Sequence, residues 1–298
     1  MSLVSVIVPV YNDVTGLRRC LTALFEQTLA KARIEVLVVD NGGIADLTDA
    51  LSAYPGATLL RETNPGSYSA RNRGIAESRG DVLAFTDSDC TPHRMWLENA
   101  LTRLGGGERD VIIGGRIDVY ARDPSHPTYA EQYELALAFP QEFYVKTRGY
   151  TVTANLITTR RVMDHAGPFD TKLFSGGDKE WCQRAVGQGF KLVYADDVAV
   201  SHPARASVGE LVDKRRRQVG GQLERALRRY PKPIAYGVVL GKALAPPVMR
   251  LVRMRTGDTG SVWDRVYRSS VVVGVSTALQ LGSSWELVSR AWGSTAKR

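Results

Sequence analysis

Short, β-branched apolar runs alternate with stretches of helical spacing over about the first 115 residues. "LVSVIVPVYN" and "IEVLVVDNGG" read as buried strands, "ATLLRET" as a third and "DVLAFTDSD" as a fourth. Between them, "VTGLRRCLTALFEQT" places Leu17, Leu21, Leu24 and Phe25 on one helical face, and "ADLTDALSAYP" and "YSARNRGIAESRG" supply two more helices. Strands that alternate with helices form a parallel sheet covered on both faces. Ligands of such sheets bind beyond the carboxyl ends of the strands. Asn12, Asp40, Asp87 and Asp89 fall at those ends.

Asp87 and Asp89 close a buried strand, Val82 to Phe85. In extended backbone, residues i and i+2 face the same side, so both carboxylates address one point in space. Like charges so placed repel unless a cation or a hydrogen-bond network compensates. The competing reading makes one of them the cap of a helix beginning near Pro92. No GxGxxG follows the first strand and no Walker pattern occurs, so a glycine cradle for phosphate is absent. Carboxylates hold phosphates only through a divalent cation, and oxygen ligands of this kind suit Mg²⁺ or Mn²⁺.

The 298 residues are 44% apolar and 23% charged, which excludes a disordered chain and allows a sizeable core. Cys20, Cys90 and Cys182 are far apart and odd in number, which argues for a reducing compartment and against a disulfide framework. "SVIVPV" is too short for a secretory h-region and lacks a basic flank, so a cytoplasmic protein is expected. Charge is uneven: residues 206–298 carry 17 Lys and Arg against 6 Asp and Glu, and the preceding residues 22 against 25. A near-neutral body is joined to a basic tail that lacks a nucleic-acid motif, so nucleic acid is not the expected partner.

Residues 116–205 mix strand-like and helix-like stretches. In "SGGDKEWCQRAVGQG", Asp178 opens an amphipathic run, where an aspartate serves as N-cap or as a functional carboxylate. His202 follows the strand-like "LVYADDVAVS" and reads as a surface loop histidine or as a ligand.

Taken in order, "VSVIVPVYN", "VLVVDNGG", "NPGSYSARNRGI", "DVLAFTDSD", "TANLITTRRVMDHAGPFD" and "SGGDKEWCQRAVGQG" resemble the inverting family 2 glycosyltransferases of GT-A fold, over roughly Val4 to His202. The resemblance implies a mostly parallel Rossmann-like sheet with helices on both faces. It also implies two parts, a nucleotide-sugar-binding subdomain (1–115) and an acceptor-binding and catalytic subdomain (116–205), beyond which the charge pattern sets off a basic amphipathic helical tail (206–298). By position, Pro9, Tyr11 and Asp40 would hold the base and ribose of a nucleotide sugar, most often a UDP-sugar, with Arg71 closing the pocket. Asp87 would reach the ribose or a metal-bound water. Asp89, with His202, would bind Mn²⁺ or Mg²⁺ across the diphosphate. Asp178 would be the general base, with Gly177, Glu180 and Trp181 toward the acceptor. Gly177 departs from the family's usual glutamate. "QLERA" has Ala226 in place of the tryptophan of processive synthases, which implies one sugar per encounter onto a glycan or lipid-linked acceptor. The alternatives are a catalytically silent nucleotide-sugar binder or scaffold and a sugar-phosphate nucleotidyltransferase.

In the tail, "IAYGVVLGKALAPPVMRLVRM" (Ile234 to Met254) is interrupted by Lys242, Pro246, Pro247 and Arg250, and "SSVVVGVSTALQLGSSWELVSRAW" by Gln280 and Glu286. Neither gives the about 20 uninterrupted apolar residues of a spanning helix. Basic flanks with Trp263, Trp285 and Trp292 instead suit helices lying on an anionic membrane, peripheral at its inner face. The competing reading packs these helices on the body or in a homo-oligomer interface.

Overall fold

The computed structural model describes residues 2–105, 110–244 and 262–291. The strands are β1 Val4–Val10, β2 Ile34–Asp40, β3 Ala57–Arg61, β4 Val82–Thr86, β5 Thr91–Pro92, β6 Val111–Tyr120, β7 Asn155–Thr159 and β8 Lys191–Pro203, in sheet order β3-β2-β1-β4-β7-β6-β8-β5. The helices are α1 Val14–Phe25, α2 Thr48–Ser52, α3 Ser67–Glu77, α4 Trp96–Gly105, α5 Tyr129–Leu137, α6 Gln141–Phe143, α7 Arg160–Ala166, α8 Gly177–Gly187, α9 Val208–Leu227, α10 Lys232–Leu244 and a final helix α11, Val262–Ala291.

β1 pairs in parallel with β2 and β4, and β2 with β3. All seven residues of β1 are buried, as an apolar run covered on two faces requires. Beyond β4 the sheet turns antiparallel, through β7 to β6. The expected α/β architecture is therefore present, with an antiparallel half that the strand–helix alternation did not announce.

The crossovers seat tightly because of particular residues. In α3, a Cβ on Gly74 would stand 2.5 Å from Ile7 Cγ2, so glycine here lets the helix approach β1. The sheet's core continues into Phe85, Phe169 and Trp181, whose rings meet at 5.5 Å between successive centroids. The expected helix start near Pro92 lies elsewhere: Thr91 and Pro92 pair with Ser201 and Val200 of β8, and α4 begins at Trp96. Neither Asp87 nor Asp89 is thus a helix cap.

The chain divides into two compact units. One comprises Met1–Asp118, Phe139–Lys172 and Gly177–His202; the other comprises Val119–Ala138, Leu173–Gly176 and Pro203–Arg298. The second is helical, with α5 and α9 to α11 clustered around Leu211, Val272, Val219 and Leu287. Of the tail residues singled out above, Pro246, Pro247, Arg250, the Trp263 side chain and Trp292 lie outside the described residues.

Candidate active site

Parallel β1, β2 and β4 bring the backbone after Val10, Asp40 and Thr86 to one edge of the first unit. Pro9 is buried in β1, beyond the Val4–Ile7 segment paired with β4, where a missing N–H leaves that ladder intact. Tyr11 follows with 66% exposure. Asn12 takes φ 54°, and its Oδ1 accepts from the N–H groups of Ile44 (2.8 Å) and Ala45 (3.2 Å). Asp40 is buried at the end of β2 and accepts from Gly43 N–H at 3.0 Å, so the two loops are tied down by their own side chains.

Helix α3 supplies the next layer. Tyr68 and Arg71 are three residues apart and share one helical face, both buried, with the guanidinium 5.7 Å from the ring centroid. Arg71 Nη2 is ion-paired with Asp87, whereas its buried Nε has no hydrogen-bond partner among the described residues. The Tyr68 hydroxyl accepts from Gly177 N–H at 2.8 Å and donates to Asp178 Oδ1 at 3.4 Å. Burial, with Asp178 beside it, pushes the Tyr68 phenol up, so it remains a donor at neutral pH. Asp87, Arg71, Tyr68 and Asp178 thus form one connected chain of side chains.

Asp178 sits in the first turn of α8. Burial pushes its carboxyl above the ordinary aspartate range; the Lys179 N–H and the Arg71 guanidinium pull the other way, and Asp87 adds to the rise. Gly177 has no side chain for a physical reason. Its Cβ would lie 2.7 Å from Tyr68 Cε2, so the Tyr68 ring occupies the space that a side chain at 177 needs.

Across the edge, His202 Nε2 lies 3.4 Å from Asp89 Oδ2, and ligand atoms of Asp89, Cys90 and His202 fall within 4.8 Å of one another. His202 is buried against Phe139, with ring centroids 4.7 Å apart. Phe139 takes φ 49°, a region that aromatic residues rarely adopt. Cys90 is a buried thiol, and Mg²⁺ and Mn²⁺ favour oxygen and imidazole donors over sulfur. The donor set is one carboxylate and one imidazole. That pair fits a divalent ion which takes further oxygen ligands from a bound diphosphate.

The sequence profile described as glycosyl transferase family 2 matches residues 5–167. Glycosyltransferase AglE of Haloferax volcanii is 38% identical over 267 residues, which span 86% of this chain and 86% of that protein.

The chain belongs to glycosyltransferase family 2.

Two solved structures share its GT-A fold. Mannosyltransferase PcManGT from Pyrobaculum calidifontis, in complex with GDP-Man and Mn²⁺, superposes with TM-score 0.62 at 19% identity over 99% of this chain and 88% of that one. Staphylococcus aureus TarS 1-349, in complex with UDP, gives TM-score 0.56 at 16% identity over 99% and 93%.

Against this family background, Asp40, Arg71, Asp87, Asp89, Asp178 and His202 are the sequence-selected residues of the first unit whose polar groups lie within its walls or at its edge. Two acceptor-side choices are placed differently. Trp181 is fully buried in the core with Nε1 donating to Gly167 O at 2.8 Å, so packing consumes the side chain and none of it faces an acceptor. Glu180 is ion-paired with Arg184 one turn along α8. Tyr68 was missed by the sequence reading, although its i, i+3 spacing from Arg71 in "SYSARNRG" was a usable signal. No local pattern marks Phe139, because its contact with His202 joins positions 63 residues apart (202 minus 139).

Proposed function

We propose that this glycosyltransferase is inverting and non-processive. It moves one sugar from a nucleotide-sugar donor, of UDP type, to a hydroxyl of a glycan or lipid-linked acceptor in envelope or polysaccharide synthesis. The observation that carries the reading is the linked set Asp87, Arg71, Tyr68 and Asp178 beside the Asp89–His202 pair. The base and ribose lie over Pro9, Tyr11 and Asp40, in the half that ends near residue 115. The unpaired Arg71 Nε is a buried donor that a ribose or phosphate oxygen of the donor satisfies. Asp89 and His202 would hold a divalent cation, Mn²⁺ or Mg²⁺, with Asp87 on the ribose side. When bound, that ion stabilises the charge growing on the departing nucleoside diphosphate.

Asp178 takes the proton of the acceptor hydroxyl while its oxygen attacks the anomeric carbon in line, opposite the breaking glycosidic bond, and configuration inverts. Tyr68 holds the carboxylate by the phenolic hydrogen bond, and the raised basicity from burial brings its pKa closer to the task. Gly177 leaves the acceptor side to other residues.

The reading is tested by nucleoside diphosphate release from a panel of UDP-, GDP- and dTDP-sugars with Mn²⁺, Mg²⁺ or chelator. Turnover with a UDP-sugar that chelator abolishes is the expected result. Turnover with GDP-mannose alone moves the donor assignment, and binding without release in every arm favours the silent binder. In calorimetry, Asp89→Ala should weaken metal-dependent UDP affinity by at least about tenfold.

A further inference from the structure

The outer face of α11 has the wrong polarity for water. Its exposed residues from 273 onward are Val273, Gly274, Thr277, Leu281, Trp285, Val288 and Ala291, a single stripe without one charge. Leu281 is 69% exposed and Trp285 65%. A helix on a soluble protein turns its charged face outward. Here the one described carboxylate and two of the serines point inward. Ser276, Ser283 and Glu286 are buried; Glu286 accepts from Arg216 Nε at 3.2 Å and Arg290 Nε at 2.7 Å, and Arg215 Nε donates to Ser283 at 3.2 Å. Polar groups inside and apolar groups outside is the arrangement of a helix that faces hydrocarbon.

We infer that the outer face of α11, with the adjoining end of α10, docks in the interface of a lipid bilayer, with the helix lying in the membrane plane. Gln280 Nε2 donates to Leu244 O at 3.5 Å, which brings exposed Leu244 alongside the middle of α11. Basic Arg228, Arg229 and Lys232 are exposed where α9 passes into α10, among exposed Leu227, Tyr230 and Ile234. That mixture suits an anionic surface: cations in the headgroups and apolar side chains below them.

Contrary to the expectation from Gln280 and Glu286, Ser269–Ala291 is by length and composition long and apolar enough to cross a membrane. Its packing decides against crossing. The inner face of α11 runs along α9, from Leu211 beside Val272 to Leu223 beside Leu287. Eight of the 20 residues of α9 are charged, and that helix cannot follow α11 into hydrocarbon. One face of α11 therefore stays on protein while the other meets lipid. A second copy of the chain is the weaker occupant, because an isologous pairing sets the basic patch against itself.

The test uses the full chain and phosphatidylcholine vesicles with and without phosphatidylglycerol, read by flotation and without any donor, so its outcome is independent of the transferase reading. Wild-type protein should float with the anionic vesicles. Leu281→Asp with Trp285→Ser should lower the floated fraction at least about tenfold, with an unchanged circular dichroism spectrum, because the two exposed sites exchange apolar burial for polar surface. Quenching of Trp285 by bromine-labelled lipids should be strongest for shallow labels, read as the difference between wild type and Trp285→Phe. Flotation unaffected by the double variant overturns the proposal. So does quenching strongest at the bilayer centre, or a dimer that the double variant splits while vesicles bind neither protein.

Discussion

The two units of the molecule use charge in opposite ways. In the first, Asp87, ion-paired with Arg71, and Asp89, beside His202, stay about one-third exposed at one edge. In the second, carboxylates are sealed inside: Glu134 is held by Arg205 at 3.1 Å and Lys214 at 2.7 Å, Glu286 by Arg216 and Arg290, while leucine and tryptophan face outward. Edge charges with open sides are available to a ligand; sealed charges serve the fold. Removing the first kind should cost activity, and removing the second kind should cost stability.

The largest expected effect is in the first unit. Asp178→Asn should lower kcat by about 10²- to 10⁴-fold with donor affinity nearly intact, measured by nucleoside diphosphate release and calorimetry. Its melting temperature should hold or rise, since burial opposes the charged carboxylate that asparagine removes. A fall in stability without a fall in kcat would erase the contrast between the units.

Next comes Glu134→Ala in the second unit, expected to cost about 3–5 kcal/mol in denaturant unfolding, because it strands Lys214 and Arg205. Burial pushes the Glu134 carboxyl up, but Lys214 and Arg205 outweigh it and hold it below 4.5. The folded-state pKa is thus lower than the unfolded one, so this stability is present above pH 4.5 and lost as pH falls below it. Glu134→Gln should flatten that dependence, and an unchanged acid profile would mean that the ion pair is not what acid breaks.

Smaller effects sharpen the contrast within the site. Gly177→Ala forces a Cβ to 2.7 Å from the Tyr68 ring and should cost about 1–3 kcal/mol of stability, together with turnover. Tyr68→Phe removes a hydrogen bond that favours the Asp178 carboxylate, a loss of about 1 kcal/mol. Activity falls as Asp178 gains its proton, so the acid limb of kcat/KM, already above the ordinary aspartate range, should move to higher pH still in this variant. A limb that stays put would place the titrating base elsewhere.

The order of apolar runs and turns in the sequence was enough to determine the sheet's parallel half and the edge where Asp40, Asp87 and Asp89 collect, because each depends on period and spacing within a few tens of residues, and the family followed from the resemblance of the ordered motifs. Local pattern also carried the placement of Asp178 in the first turn of α8. The tertiary structure decided the rest. It turned Trp181 into core by closing Phe169 and Gly167 over it. It explained Gly177 by filling its side-chain space with Tyr68, 109 residues away. It set Phe139 on His202, and it turned Glu286 inward and Trp285 outward on neighbouring positions of one helix. Each of these rests on contacts between distant segments, and a residue's neighbours in sequence do not report which far segment will cover it.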